Sequence, residues 1–196
     1  MRGAERPRRR RPEAVLFPGA VVLLLLGACA GPGVPGAPAG TGSQQPVVAR
    51  QDEVLPTSLR IPVIGVEQPE LLRLGVAEDG TAEVPQDFAR VGWFDSGATP
   101  GPTVLLGHVD SRTGPAVFVD LRDLRPGDVI EVGYSDGTRQ AYVVERTRQL
   151  PKDAFPTFEV FGAAPGDVLR LVTCAGEFDD GARSYVDNLV VDARAG

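Results

Sequence analysis

The chain has one histidine, two cysteines, one tryptophan and a single lysine, Lys152, among 196 residues. Each scarcity excludes something. Cys29 lies in an N-terminal apolar segment, so the remainder of the chain holds one thiol, Cys174, and a disulfide framework within the folded part is ruled out. One Cys and one His leave only carboxylates to complete a tetrahedral shell, with no close ligand pair, so no metal site is expected. Neither a glycine-rich phosphate loop nor a dinucleotide fingerprint occurs, and no cofactor is expected. Aromatic residues make up 6%, and long helical periodicity is almost missing.

Charge is scarce on one side. The formal charge of −6 hides six arginines against two glutamates in the first 13 residues, so the remainder stands near −10. An acidic body lacks the basic face that displaces counterions from nucleic acid, and no nucleic-acid partner is expected. The arginine run instead precedes "AVLFPGAVVLLLLGACAG", which completes the pattern of an export signal. Its apolar core, residues 14–30, is short for a membrane span and is broken by Pro18. Three fates compete: cleavage at the "ACA" of 28–30, retention as an anchor, or lipidation of Cys29, since "LGAC" resembles the bacterial lipobox. The reading favoured is attachment to the outer face of a membrane through residues 1–30, with lipid and helix left unseparated. Residues 31–56, rich in proline and glycine, have too few large apolar groups to offset chain entropy and read as a flexible tether.

Residues 57–196 read as one domain, a length that supports one core and little more. "LRIPVIGV", "TVLLGHV", "DVIEVGY", "QAYVVERT", "DVLRLVTC" and "YVDNLVVDA" are short β-rich runs, several separated by "PGD" or "SDG" turns. Two apolar runs flank Asp79-Gly80, a hairpin signal, and "AVFVDLRDL" suits a helical turn or two. Many short strands imply an all-β barrel or sandwich.

The ordinary readings of Cys174 and His108 are a small buried strand residue and a polar residue satisfied at a strand end. Together they say more, because "LRLVTC" and "TVLLGH" each end an apolar strand, where side chains emerge from a core onto an edge. A thiolate attacks a carbonyl, and a nearby imidazole holds the ion pair and protonates the leaving amine. The oxyanion needs a donor, and Arg183, nine positions after Cys174, offers a permanent charge. Arg148 and Arg194 are rivals outside that context. Asp110 and Ser111, which follow the histidine, are weighed as groove residues against a solvated turn. Glu177, Asp179 and Asp180 lack the spacing of a calcium loop and read as a solvated acidic cluster. Trp93 reads as core.

At this point the residues resemble the sortases, cysteine transpeptidases of Gram-positive surfaces. "RLVTC" is similar to their T-L-x-T-C signature and "LLGHVD" to their histidine strand. The likeness runs through "FP" at 155–156 and "RSYVDNLVV", covers roughly residues 59–193, and is greatest to class F, less to class E. Arg170 stands where the signature has threonine, on the same strand face as Cys174. The resemblance implies an eight-stranded β-barrel with short helical turns. It implies Cys174 as nucleophile, His108 as general acid and base, and Arg183 as stabiliser. Thr173 is read as packing first and substrate-binding second, and the Ala175 N–H as a second oxyanion donor. The implied partners are surface proteins bearing an L-P-x-T-G type motif and an amine from a cell-wall precursor. Two other classes stay open. An L,D-transpeptidase would place histidine two residues before the cysteine, where this chain has "LVT". A non-catalytic surface lipoprotein using the same barrel as a binding module is the other.

Overall fold

The computed structural model describes residues 53–95, 97 and 101–196. Their strands are β1 (Pro56–Ile61), β2 (Val66–Gln68), β3 (Leu72–Leu74), β4 (Gly92–Phe94), β5 (Thr103–Leu106), β6 (Asp110–Ser111), β7 (Gly114–Pro115), β8 (Val129–Tyr134), β9 (Arg139–Pro151), β10 (Val168–Asp179) and β11 (Ser184–Ala195). One five-residue helix, α1 (Thr157–Phe161), and three single-turn 3₁₀ segments complete the description. Nine strands form one curled half-barrel in the order β2-β1-β8-β9-β11-β10-β5-β4-β3, and β6 pairs with β7 alone.

The all-β expectation is met, with nine strands in the main sheet where eight were expected. The difference lies at the edges. The run around Asp79-Gly80 closes a turn, with the Asp79 carboxylate accepting from Thr81 N–H (3.0 Å) and Oγ1 (2.7 Å). Only one antiparallel bridge, Val76↔Ala82, forms there, because Leu72–Leu74 pairs in parallel with β4 and buries Leu74 instead. Burial of that leucine outweighs the local hairpin preference.

The central strands are buried on both faces, which is why they read as unbroken apolar runs. Leu169 and Leu171 of β10, Leu105 of β5 and Leu189 and Val191 of β11 point into the curl with Phe118, Leu121 and Tyr142. Their neighbours Val172, Val104, Leu106 and Val190 point outward and are covered by Val160 of α1, with Phe155 and Phe161 beside it. The stretch expected to make a helical turn does so over Leu121–Asp123, with Leu121 fully buried. α1 itself is too short to show a 3.6 period; Pro156 sets its entry and Gly162 its end.

Arg170, the departure from the signature, is buried on that outer face. Its Nε donates to Asp192 Oδ1 (3.2 Å) and a terminal nitrogen donates to the Val160 carbonyl (2.8 Å), fastening α1 to the sheet. Asp192 also accepts from Arg146 and Arg148 of β9. Burial would raise the Asp192 carboxyl, but the hydrogen bonds from Arg148 and Arg146 outweigh it and hold it below the usual carboxylate range.

Candidate active site

β5 and β10 lie side by side and parallel, and their pairing runs from Thr103↔Leu169 to Leu106↔Val172. Two residues beyond that last pair stand His108, past the end of β5, and Cys174, within β10. The Gly107 N–H still donates to the Val172 carbonyl (3.2 Å), so the histidine stands one residue past the last hydrogen bond to the sheet. Gly107 cannot carry a side chain: a Cβ there would stand 2.6 Å from the Phe118 ring. Phe118 in turn donates its N–H to the His108 carbonyl (2.9 Å), which fixes the backbone at the strand end.

The half-buried His108 ring lies against Phe88, centroids 4.4 Å apart. Its Nε2 is 2.7 Å from the Pro85 carbonyl oxygen. A carbonyl only accepts, so Nε2 carries the proton and, in the neutral ring, Nδ1 is the nitrogen left to accept one.

Cys174 is half-buried and faces Asn188 across the β10–β11 pair. Just after it the register slips between Ala175 and Phe178. Gly176 sits in this bulge at φ +84, and a Cβ there would come 2.7 Å from an Asp187 carboxylate oxygen. The bulge bends the hairpin back toward the cysteine. A cleft of about 180 Å³ opens here, lined by Thr173, Cys174, Ala175, Phe118, Arg122 and Tyr185 among others. Thr173 is buried, and among the described residues its Oγ1 has no hydrogen-bond partner. An unpaired buried hydroxyl costs about 1–3 kcal/mol, so a polar group entering the cleft would find a partner waiting.

Asp110, on the two-residue strand after the histidine, accepts a hydrogen bond from the Tyr185 hydroxyl, which ties the histidine side of the cleft to the β10–β11 hairpin. That bond, then burial, then the negative charge of Asp110 push the Tyr185 phenol above its ordinary range, so it stays protonated and acts as a donor. Ser111 is occupied within its own turn, donating to the Gly114 carbonyl (3.1 Å). Asp179 caps the hairpin turn by accepting from the Gly181 and Ala182 N–H groups. Trp93 is partly buried against the core, with the Arg73 guanidinium 5.9 Å from its ring. Among the described residues no group of three or more His, Cys, Asp or Glu side chains is arranged to hold a metal.

The cations distribute unevenly. Arg183 is on the turn just before Ser184, exposed and at φ +51, and makes no hydrogen bond to another described residue. Arg148 is held by Asp192 and Glu159, and Arg194 by Glu145 and the Pro165 carbonyl at the far end of β11. The cation at the sulfur is Lys152, Nζ 3.6 Å from Cys174 Sγ and 2.8 Å from Ser184 Oγ. Sequence reasoning did not place it in the site, although it is the only lysine in a chain otherwise furnished with arginine. Cys29, the segment 1–30 and most of the tether lie outside the described residues. Among the described residues no helix is long and apolar enough to cross a membrane.

Residues 59–195, well over half of the chain, match the family model described as the sortase domain. No curated protein sequence matches. Among solved structures, sortase C-1 from Actinomyces oris is 24% identical, covers 74% of each chain and superposes with a TM-score of 0.53. A lid mutant of sortase A from Corynebacterium diphtheriae is 19% identical (TM-score 0.52, 71% of this chain and 68% of that one). Sortase C1 from Streptococcus suis is likewise 19% identical (TM-score 0.51, 72% of each). At these identities the likeness is one of fold.

Proposed function

This chain belongs to the sortase family of cysteine transpeptidases, and from that premise we propose that it cuts an L-P-x-T-G type sorting motif between Thr and Gly and passes the acyl fragment to a cell-wall amine. The observation that carries the proposal is that the paired parallel strands β5 and β10 set the chain's one histidine, just past the end of β5, and its one domain cysteine, within β10, each two residues beyond their last pair, with Cys174 lining a cleft.

In this reading the Cys174 thiolate attacks the Thr carbonyl carbon, and the carbonyl π electrons move onto oxygen. The Ala175 N–H and Arg183 receive that oxyanion, Arg183 from the hairpin turn that closes one side of the site. Collapse of the intermediate breaks the C–N bond. His108, holding at Nδ1 the proton that the Cys174 thiol gave up, passes it to the departing glycine amine, leaving a thioester on Cys174. The acceptor amine then attacks the thioester carbonyl, His108 takes its proton, and the C–S bond breaks to restore the thiolate. Thr173 Oγ1 pairs with a polar group of the bound peptide, and Asp110 acts through Tyr185 on the wall of the groove.

Sortases are in general cell-surface enzymes acting on surface proteins that carry sorting motifs. For this chain we place residues 1–30 at the outer face of the membrane as signal or anchor, with Cys29 as the lipidation site if lipid is the attachment. Residues 31–56 are the tether and 57–196 the catalytic domain. Within the family we favour class F, on "RLVTC", "LLGHVD" and "RSYVDNLVV".

The test is intact mass of the full chain carrying Cys29→Ser after incubation with L-P-x-T-G and L-A-x-T-G peptides, with and without an amine acceptor. A thioester on Cys174, or acyl transfer to the amine, supports the transpeptidase. A thiol that alkylates with iodoacetamide while neither peptide reacts refutes the substrate class. A thiol that does neither refutes the enzyme and leaves a binding module.

A further inference from the structure

The chain's only lysine side chain is directed at its only domain thiol. Lys152 opens a 3₁₀ turn immediately after Pro151, which pairs with Asp187 of β11. That pairing brings the lysine alongside the β10–β11 hairpin, within reach of Cys174 and Ser184. Its Nζ lies 3.6 Å from Sγ and 2.8 Å from Ser184 Oγ, so the sulfur and the serine oxygen are at most 6.4 Å apart, with the ammonium between them. The side chain is half-buried.

What Lys152 does not touch is as informative. Asp153, Asp179 and Asp187 line a groove on the same side. Among the described residues none of them forms a salt bridge with Nζ, although this part of the chain is strongly acidic. Asp187 is taken by Gln149 Nε2 (2.6 Å), and Asp179 by the turn amides. An ammonium that shares a groove with three carboxylates yet is seated on a serine hydroxyl and a sulfur is positioned for a charge that resides on the sulfur.

We propose that Lys152 is a catalytic residue: its ammonium donates a hydrogen bond to the Cys174 thiolate and supplies the positive charge that sustains it, while Ser184 is a positioning residue that holds Nζ at the sulfur. This rests on Cys174 being the nucleophile. It separates two duties assigned together to His108. The imidazole moves protons at the leaving and entering amines, and the lysine carries the standing charge, which suits a ring whose Nε2–H is engaged by Pro85. No proton leaves the ammonium in any step. Serine is suited to the holding role because its hydroxyl oxygen accepts from Nζ without adding a negative charge that would compete for it.

The test uses the full chain with Cys29→Ser, so that Cys174 is its sole thiol. The readouts are the rate of iodoacetamide alkylation and the thiolate ultraviolet absorbance at neutral pH, neither of which needs a sorting peptide. Lys152→Gln is expected to lower the alkylation rate about ten- to a hundredfold, the loss of one charge-assisted hydrogen bond, and to remove most of the absorbance. Lys152→Arg should restore both to within about threefold of the parent, since it keeps the charge and the donor. Ser184→Ala should fall between. Lys152→Met, which keeps the length of the stem without the charge, repeats both readouts should the glutamine variant fold poorly. Parental alkylation in Lys152→Gln or Lys152→Met, or equal losses in the Gln and Arg variants, overturns the proposal. Loss of absorbance in His108→Ala but not in Lys152→Gln gives the charge to the histidine and overturns it as well. Alkylation that responds as expected while no sorting peptide is cleaved refutes the substrate reading and leaves the lysine's role standing.

Discussion

Replacing Asp192 by Asn should destabilise the domain by about 3 kcal/mol, the lower end of the range for removing one partner from a buried ion cluster. The carboxylate is 5% exposed and accepts from the Nε atoms of Arg146 (2.9 Å), Arg148 (2.8 Å) and Arg170 (3.2 Å). Asn preserves the shape but turns an amide NH₂ toward a guanidinium, leaving the buried Arg170 charge without a counter-ion. The lower figure is chosen because two of the three arginines recover part of the loss. The Arg146 side chain is 58% exposed and can rehydrate, and Arg148 keeps Glu159 at 2.7 Å. For a domain of this size the loss corresponds to a fall in Tm of about 10 °C, measured by thermal unfolding at neutral pH. The pH dependence has a definite sign. The Asp192 carboxyl is held below its ordinary range when folded, so its stabilisation is complete above the unfolded value, near 4, and is lost as pH falls through the folded one. The gap between parent and variant should therefore narrow below about pH 4. A Tm change under about 2 °C at neutral pH, or a gap that widens in acid, would refute this account of why an arginine occupies the signature's threonine position.

Cys174→Ala should abolish thioester formation in the mass assay, and unchanged cleavage by that variant would dismiss the thiol as nucleophile. His108→Ala should lose several powers of ten in transpeptidation rate, as is common when one member of a cooperating set is removed, and a near-parental rate would require another acid–base group. Arg183→Lys should show a marked but incomplete loss, because lysine keeps the charge without the planar fork; full activity would return Arg183 to the surface. Gly176→Ala should reduce activity more than stability, because it strains the bulge next to the nucleophile at positive φ, and parental kinetics would show that the bulge relaxes freely.

The fold class and the positions of Cys174 and His108 were legible because central strands buried on both faces leave continuous apolar runs, and both residues end such runs. Edge strands were not. Leu72–Leu74 is three residues long, and its choice of β4 over the local Asp79-Gly80 hairpin depends on burying Leu74, a tertiary gain no window of sequence displays. α1 was invisible for a related reason: one turn carries no period, and its anchor, Arg170, lies on a strand ten residues away, reaching the Val160 carbonyl. Lys152 was legible as an oddity of composition but not as a neighbour of Cys174. Their meeting requires β9 to pair with β11 so that Pro151 stands beside Asp187, and then a bulge at Gly176 to fold the hairpin back.

The lysine beside the sulfur has one more consequence if the enzyme works through a thioester. Such an intermediate is electrophilic toward any free amine, and the side-chain amine of lysine is the natural intramolecular thief. This chain carries only one, and it is the one seated on Ser184, where the protonated form has no lone pair to offer. Arginine, always protonated at working pH, furnishes the other positive side chains. Across its side chains the chain thus presents its own activated acyl group with almost nothing to label. Self-acylation should be confined to a single position, where its appearance on long incubation without acceptor would report when the ammonium lets go of its proton.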